Sequence, residues 1–479
     1  MNNRIIPLSL LTAMLGACSL APTYERPAAP IPDTWPAGMQ LKTSQSLMLE
    51  DWRKYFPDPR LQVLIETALA NNRDLRIATA RIDEAKAQYG IQQADQWPNL
   101  DLELSHNASL TPAAVSTTGN DLHIQRNDLK VSLVSYELDF WGRVRNLNEA
   151  AKASYLATEE AQHTFRFSLI ADVANAYLSL LELQQRTELT RETVKTRAET
   201  RDLVSRRREL GVSGDMDYLQ AEGAYQSSLA SLADLEQQQA AATHLLDLLL
   251  GKPMAELKDL PPEHSLAEQG IVPASIAGLP SEALLRRPDV RAAEQQLIAV
   301  NASIGAARAD FFPRITLTGG FGTASSDLSG LFNSGNRAWN FQPSLIQPLF
   351  SAGRGSAGVD LAKAQKIEAV AQYEKTIQQA FREVADLLNA SDKLNEQLTA
   401  QTANAAAQKE RLRLVEARYQ AGIASHLEVL DAEREAYAAE QGEVQVRRMW
   451  LTIAAQLYKA LAGESNDSDG TDKQAASGS

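Results

Sequence analysis

The stretch Arg143–Leu210, RVRNLNEAAKASYLATEEAQHTFRFSLIADVANAYLSLLELQQRTELTRETVKTRAETRDLVSRRREL, has neither proline nor glycine over 68 residues. A second such stretch, Val359–Ala421, has 63 residues. Because proline and glycine are the residues that most often end a helix, each stretch predicts one helix, about 100 Å long at about 1.5 Å per residue. Globular helices average about 11 residues. The fold is therefore dominated by two helices far longer than a compact core requires.

Apolar residues in these stretches recur at spacings of three and four, as Leu169, Val173, Ala176, Leu180 and Leu183 show. This spacing is typical of helices that pack side by side in a coiled coil. A membrane-spanning helix is excluded because charged residues recur throughout. A core stripe in a compact helical bundle is the alternative, but a globular core does not extend for about 100 Å.

Short glycine-containing breaks, 211–215 and 422–425, follow the two long stretches, and helical patterning then resumes. Each half of the chain is therefore predicted to contain a helical hairpin, over 143–250 and over 356–462. The halves also resemble each other: Trp97-Pro98 aligns with Phe312-Pro313, an offset of 215 residues (312 − 97), and the offset becomes 211 further on. A repeat of this length means one structural unit used twice. The two units cover 51–260 and 270–462.

Four short stretches alternate apolar and polar residues with a period of two. The pattern is typical of membrane β-strands and also of a small, half-buried sheet in a soluble domain. Pro343 and Pro348 predict a bend or a strand end in the last stretch. Four strands cannot close a barrel, and open sheet edges are not tolerated in lipid, so strands in a membrane would require several copies to share one barrel. The predicted strands are about 99–109, 128–139, 314–323 and 339–350.

The N-terminus predicts export and a lipid anchor. Residues 1–17 are typical of a signal peptide, and their apolar run is too short to span a bilayer. The sequence LGAC at 15–18 resembles a bacterial lipoprotein cleavage site, after which the Cys18 thiol would carry diacylglycerol; ordinary secretion with a free thiol is the alternative. Residues 18–50, rich in proline at their start, are predicted to form an extended tether that keeps the lipid away from the folded body.

The composition gives little support to catalysis, metal binding or nucleic-acid binding. The net charge is −13, and a single cysteine excludes an intrachain disulfide and a cysteine zinc cluster. The six histidines are scattered, and no nucleophile–base or acid pair stands out. We therefore expect no enzyme activity, no metal, no nucleic-acid partner and no cofactor beyond the covalent lipid on Cys18. The tail 464–479 lacks apolar periodicity and is predicted to be disordered.

In four stretches, found in order along the chain, the sequence resembles the TolC-like outer-membrane factors, most closely the OprM-type (NodT-type) lipoproteins of tripartite multidrug efflux pumps. The resemblance covers residues 18 to about 463. The four stretches are YELDFWGR (136–143), RPDVRAAE (287–294), IGAARA (304–309) and LDAER (430–434).

The resemblance implies a mixed α/β membrane protein that forms a homotrimer. Each subunit would give four strands to a twelve-stranded outer-membrane barrel, continued by a long periplasmic α-helical barrel. Drugs and other small solutes would pass passively, while an inner-membrane RND transporter, joined through a periplasmic adaptor (membrane fusion) protein, supplies the energy. A lipid-tethered periplasmic coiled-coil scaffold without a pore is the alternative, as is an exit duct for metals or secreted proteins.

The resemblance also implies a gate at the hairpin tips. Leu427 and Asp431 match the leucine and aspartate that narrow the closed end in this family, and Arg418 and Tyr419 match its tip-locking residues. Three carboxylates in a ring would repel one another and favour cations. The alternatives are an ordinary core residue for Leu427 and a solvated charge at a helix start for Asp431. Additional gate candidates are Asp215, Asp217 and Glu428.

The exposed turns of the hairpins are the expected contact with the adaptor, because loop tips on a rigid scaffold are common binding sites. Plain solvent-facing turns are the alternative. The candidate contact residues are Gly211, Val212, Gly214, Gly422 and Ile423.

Overall fold

The computed structural model describes residues 19–32, 35, 52–117, 119–271 and 281–461. The predicted signal peptide, the predicted lipid-bearing Cys18 and the predicted disordered tail lie outside the described residues. The α-helices are α1 (Trp52–Tyr55), α2 (Pro59–Asn71), α3 (Arg73–Ala94), α4 (Arg143–Glu209), α5 (Asp215–Leu250), α6 (Pro288–Ala309), α7 (Arg354–Gln420) and α8 (His426–Leu461). The strands are β1 (Leu100–Thr111), β2 (Leu122–Glu137), β3 (Arg314–Ser325) and β4 (Arg337–Ile346).

Helices at corresponding places in the two halves have equal lengths. There are 22 residues in both α3 and α6, 67 in both α4 and α7, and 36 in both α5 and α8. The starts of α4 and α7 differ by 211 positions (354 − 143), and those of α5 and α8 also differ by 211 (426 − 215). The helix α7 begins two residues before the predicted 356, because the turn preceding it ends at Gly353, whose φ is +84°.

The described chain divides into two compact units. The sheet unit consists of Met1–Ala28, Arg81–Glu159 and Ala292–Glu374. The tip unit consists of Ala29–Ala80, Glu160–Arg291 and Lys375–Ser479.

The sheet unit holds one antiparallel sheet in the order β1-β2-β3-β4. Within the described residues, β1 and β4 are therefore edge strands, each with one side that has no strand partner. One face of this sheet is apolar across all four strands. Its central row is Leu102, Val131, Phe321 and Trp339, which are paired in register and 75, 47, 64 and 75% exposed.

The opposite face of the sheet is polar. The next row along the strands pairs Glu103 with Lys130, and the Lys130 ammonium lies 3.2 Å from the Glu103 carboxylate. Because side chains alternate between the two faces of a strand, the period-two sequence pattern produces this separation directly. The sheet thus exposes a continuous apolar face and carries charge on the other.

Two strands differ from their predicted bounds. The strand β2 begins at Leu122 instead of 128, because its first residues pair in register with the end of β1. The strand β4 ends at Ile346 instead of 350, ahead of Pro348. The prediction that Pro343 marks a bend or strand end is wrong: it lies inside β4, opposite Leu317. Proline is tolerated there because an edge strand can leave its missing N–H on the open side.

The core of the tip unit lies where the short helices α1 and α2 pack against the middle of α4 and the end of α8. Leu61, Leu64, Tyr177 and Tyr458 are at most 1% exposed in this cluster. Burial of a large apolar side chain contributes about 1.5–3 kcal/mol. This cluster therefore fixes α8 against α4 at the end of the hairpin that lies far from the turn.

Residues 19–28 are not the free tether that the prolines predict, because they lie against α6. Arg26 donates to both carboxylate oxygens of Glu294, at 2.7 and 2.9 Å. At Gly305 a Cβ atom would come within 2.6 Å of the Ala21 backbone nitrogen, so only glycine allows this close approach. An extended proline-rich segment makes few hydrogen bonds within itself, so its polar groups are available to a neighbouring helix.

Candidate functional site

The two hairpin turns share one backbone structure. Gly211 and Gly422 both have φ of +75°. After α4, the Gly211 N–H donates to the Arg208 carbonyl at 2.9 Å and the Val212 N–H to the Arg207 carbonyl at 2.9 Å. The corresponding bonds after α7 are 2.9 and 2.8 Å. This is the Schellman arrangement, in which a left-handed glycine ends a helix and satisfies its last carbonyls.

In the first turn, both predicted gate carboxylates bind groups of their own hairpin. Asp215 lies 2.9 Å from Arg208, and Asp217 accepts a hydrogen bond from the Ser213 hydroxyl at 2.8 Å. The side chains beside them are apolar and at least 63% exposed. These are Leu210, Val212, Met216 and Leu219.

In the second turn, Glu428 is a capping residue of α8. The N–H and the hydroxyl of Ser425 each donate to the Glu428 carboxylate at 3.1 Å, and the Glu428 N–H donates back to the Ser425 hydroxyl at 3.3 Å. This reciprocal pair is a capping box. The bonds from Ser425 lower the pKa of Glu428. The structure therefore gives Glu428 a local role at the helix start.

Asp431 is not a bare carboxylate. Arg411 on α7 binds one of its oxygens at 2.7 Å, and Arg434, one helical turn further along α8, binds the other at 2.8 Å. Arg434 also lies 3.1 Å from Glu435, so the two carboxylates and the two guanidinium groups balance in charge (2 − 2 = 0). The expectation that three carboxylates favour cations stays a prediction, and in this arrangement each Asp431 carboxylate is paired with guanidinium groups of its own subunit.

Leu427 lies on the same stretch of α8 as Asp431 and is 61% exposed. Both side chains line a groove of about 380 Å³ in the tip unit, together with Arg197 of α4 and small residues of α5. An ordinary core position for Leu427 is thereby excluded within the subunit. An exposed leucine beside a paired aspartate is consistent with a surface that another chain or the channel axis completes.

Among the described residues of the two turns, one side-chain hydrogen bond joins the first hairpin to the second. The Arg207 guanidinium of the first hairpin donates to the Tyr419 hydroxyl of the second at 3.0 Å. Arg418, the other predicted locking residue, lies 3.8 Å from Glu428 and so remains within its own hairpin. The structure therefore connects the hairpins through Tyr419 and not through Arg418.

His426, the first residue of α8, lies between the hairpins. Its ring is 5.7 Å from the ring of Tyr419, and neither ring nitrogen has a hydrogen-bond partner among the described residues. Burial lowers the pKa of His426; Asp217 opposes this effect and Arg207 reinforces it.

Sequence reasoning missed four basic partners of the predicted tip residues, namely Arg207, Arg208, Arg411 and Arg434. Arg411 lies 11 residues before Gly422, and Asp431 lies 9 residues after it. Because residues at similar distances from an antiparallel turn become neighbours, this contact could have been predicted from the sequence. Arg434 lies at i+3 from Asp431, a spacing that faces one side of a helix. Only Arg207, 212 residues from Tyr419 in the chain, had no signal in the sequence pattern.

None of the described helices combines the length and the apolar character needed to cross a membrane. In the part of the chain that the structure describes, no group of three or more histidine, cysteine, aspartate or glutamate side chains is placed to hold a metal ion.

Known proteins with this arrangement are outer-membrane channels. The sequence matches the family described as "Outer membrane efflux protein" over residues 64–252 and 279–463. It is 42% identical over 456 residues to the outer membrane protein OprJ of Pseudomonas aeruginosa, with 95% of this chain and 94% of OprJ covered. It is 40% identical over 481 residues to the antibiotic efflux pump outer membrane protein ArpC of Pseudomonas putida, with 100% and 99% covered.

A solved structure of CusC, whose Escherichia coli sequence is named a cation efflux system protein, has a TM-score of 0.82 and 38% identity. The alignment covers 93% of this chain and 100% of CusC. The chain therefore belongs to the outer membrane efflux protein family. It is an outer-membrane channel component of an efflux pump.

Proposed function

We propose that three copies of this chain form a passive exit duct through the outer membrane, gated at the hairpin tips. The observation that carries the proposal is the four-stranded sheet, with its exposed apolar face and its two edge strands. A lipid bilayer requires every backbone polar group to be paired, so a sheet with open edges must be completed by others. Three subunits of four strands give about twelve, within the range of bacterial outer-membrane barrels.

The two faces of the sheet then have different surroundings. The apolar row of Leu102, Val131, Phe321 and Trp339 faces lipid, and the row containing Glu103 and Lys130 faces the water-filled interior. Strands of membrane barrels alternate in this way, apolar outward and polar inward. A soluble sheet with the same pattern would have its apolar face covered by other elements of the chain, whereas here that face is exposed.

The helices continue the duct on the periplasmic side. The helix α5 exposes Leu245 and Leu248, which are 50% and 72% exposed, and a neighbouring subunit would cover them. An internal repeat that supplies two hairpins per subunit gives six hairpins in the trimer. This arrangement is the α-helical barrel expected from the family, and it places the six turns at its end.

The closed end is formed by Leu427, Asp431 and Tyr419. Apolar side chains that converge on an axis exclude water and ions. Around them, the Asp431–Arg411 ion pair holds α7 and α8 together, and the Asp431–Arg434 pair lies within α8. The Arg207–Tyr419 hydrogen bond holds the two hairpins together.

The remaining parts of the proposal concern the partners. Cys18 would carry the lipid, and residues 19–28 would hold it close to α6. The turns around Gly211, Val212, Gly214, Gly422 and Ile423 would contact the periplasmic adaptor. The adaptor in turn would join an inner-membrane transporter of the RND type. Because the duct is passive and catalyses no reaction, the transporter selects the drugs and other small solutes that pass.

Conductance of the purified protein in a planar lipid bilayer tests the channel. We expect small, discrete currents from the wild-type protein, together with a trimer that dissociates in SDS only on heating. Protein shown to be inserted that gives no current under any condition, including the opened variants described below, would overturn the duct. Monomers that carry lipid and wash off the membrane would favour the coiled-coil scaffold.

A further inference from the structure

We propose that His426 makes the closed tip sensitive to acid, so that the channel opens more readily as the pH of the periplasm falls. This inference rests on the proposed gated channel and adds a regulatory input to it. It does not depend on which adaptor or transporter the channel joins.

The position of His426 carries the inference. The imidazole is half-buried where the start of α8 meets the first hairpin, beside the ring of Tyr419. Tyr419 is the residue whose hydroxyl accepts the bond from Arg207 that joins the two hairpins. The imidazole therefore lies next to the contact that must separate when the tip opens.

The charges around His426 do not favour its protonated form. From α4, the Arg207 guanidinium faces the ring and would repel an imidazolium. From α5, the Asp217 carboxylate would attract it, but Asp217 already accepts a bond from Ser213. From α7, Tyr419 presents its ring and not an acceptor to the imidazole. Both ring nitrogens are buried without partners, so a second N–H would gain no hydrogen bond.

The direction of the pH effect follows from linkage. The closed tip lowers the pKa of His426 below its ordinary value of 6.5, whereas an opened tip exposes the ring to water and restores that value. Well above pH 6.5 the ring is neutral in both states and has no effect on the balance between them. As the pH falls below 6.5, the open state binds a proton first, so acid shifts the balance toward opening. For each unit by which the closed state lowers the pKa of His426, full protonation shifts the equilibrium between the closed and the open tip about tenfold per subunit.

A second titratable group at the tip, the half-buried Glu433, acts in the opposite direction. Burial raises the pKa of Glu433, with a contribution from Glu416 that Arg197 opposes. A carboxyl whose pKa is raised in the closed state stabilises that state at low pH and loses this contribution as the pH rises. The change of channel opening with pH in the wild-type protein is therefore the sum of two opposing effects, one from His426 and one from Glu433. A variant that lacks one of these side chains shows the effect of the other.

The test is bilayer conductance at about pH 7.5 and about pH 5.5, across which an ordinary histidine changes charge. We compare the wild-type protein with His426→Phe, which keeps an aromatic ring beside Tyr419 and removes the titration. His244→Phe on the exposed part of α5 is the matched control. The wild-type and control currents should rise about threefold or more on acidification. The His426→Phe current should stay constant or fall, because only Glu433 remains.

Two results would overturn the role of His426. One is a rise with acid that is unchanged in His426→Phe; the other is a wild-type current that stays constant or falls with acid. In both cases the channel itself stands. The absence of any current from inserted protein at either pH would instead contradict the duct.

Discussion

The returning helices α5 and α8 have the same length and follow the same kind of turn, yet they have different surroundings. Only five residues of α5 are buried within the chain, against thirteen of α8. Leu248 of α5 is 72% exposed, whereas Leu451 of α8 is 2% exposed. The repeat thus reproduces the backbone but not the packing. The returning helix of the second hairpin is packed within the chain, whereas that of the first exposes the face that the proposed trimer would cover.

The two tips differ in the same sense. The first turn displays apolar side chains, and its acids bind locally. The second holds Asp431 between two arginines and places Tyr419 against the apolar residues Val415, Val429 and Ala432. Equal backbones therefore carry different side-chain surroundings, which supports the proposed gate in the second hairpin and the proposed contact surface in the first.

The largest effect should come from truncating the buried leucine of α8. Leu451→Ala removes a fully packed side chain and should lower the free energy of unfolding by about 2–5 kcal/mol. Leu248→Ala on α5 is the matched change and should alter subunit stability by no more than about 0.5 kcal/mol. Denaturant unfolding of the purified protein in detergent measures both.

Leu248→Ala should instead lower the temperature at which the trimer dissociates in SDS, because its side chain belongs to the proposed subunit contact. A Leu248→Ala protein that loses subunit stability as strongly as Leu451→Ala would show that the two helices are packed alike.

The second effect concerns the gate. Leu427→Ala combined with Asp431→Ala should raise the bilayer conductance about tenfold or more, because two ion pairs, each of about 0.2–1 kcal/mol, are lost in each subunit. The positions that correspond in the first hairpin, 211 residues earlier, are Met216 and Gln220. Met216→Ala with Gln220→Ala should leave the conductance small. Equal currents from the two double variants would remove the gate from the second hairpin.

The third effect should be the same in both hairpins. Gly211→Ala and Gly422→Ala each place a Cβ atom on a residue with φ of +75° and meet no other atom within 4 Å. The cost is therefore backbone strain alone, about 1 kcal/mol. Hydrogen exchange of the Val212 and Ile423 amides reports the local opening of each turn. Costs that differ by more than about 1 kcal/mol would show that the turns are not equivalent.

The smallest effect separates the two predicted locking residues. Tyr419→Phe removes the hydroxyl that accepts from Arg207 and should raise the conductance about threefold, in line with the loss of one hydrogen bond per subunit. Arg418→Ala breaks only an exposed contact within its own hairpin and should change the conductance less than about twofold. A larger current from Arg418→Ala than from Tyr419→Phe would contradict the connection through Tyr419.

Much of the fold could be predicted because its signals are local. The two long proline-free and glycine-free stretches predict α4 and α7, and the glycines at 211 and 422 mark their ends. The strand bounds were less accurate: the start of β2 depends on pairing with β1, and a residue pattern does not contain the partner strand. Likewise, the sequence predicts a bend or a strand end at Pro343, because the residue pattern does not say that β4 lies at an edge of the sheet.

The candidate site was predicted in part. The resemblance named Leu427, Asp431, Arg418 and Tyr419 as gate residues, and the structure places all four near the second turn. Their partners were missed or misassigned. Asp431 is neutralised by arginines, Arg418 binds Glu428 instead of the other hairpin, and the predicted gate acids Asp215, Asp217 and Glu428 bind groups beside them in the chain.

The sequence by itself determined the length of the helices, the position of both turns and the alternation of the strands, because each depends on residues that are neighbours in the chain. It also determined the twofold repeat, because a repeat is a likeness between two stretches of sequence and needs no contact between them. Only the tertiary structure decided that Arg207 binds Tyr419, that Arg26 binds Glu294 and that α5 is exposed where α8 is buried. The first two contacts join residues 212 and 268 positions apart. Such pairs form only once packed helices bring distant segments together, and no periodic pattern in the chain records which side chains then meet.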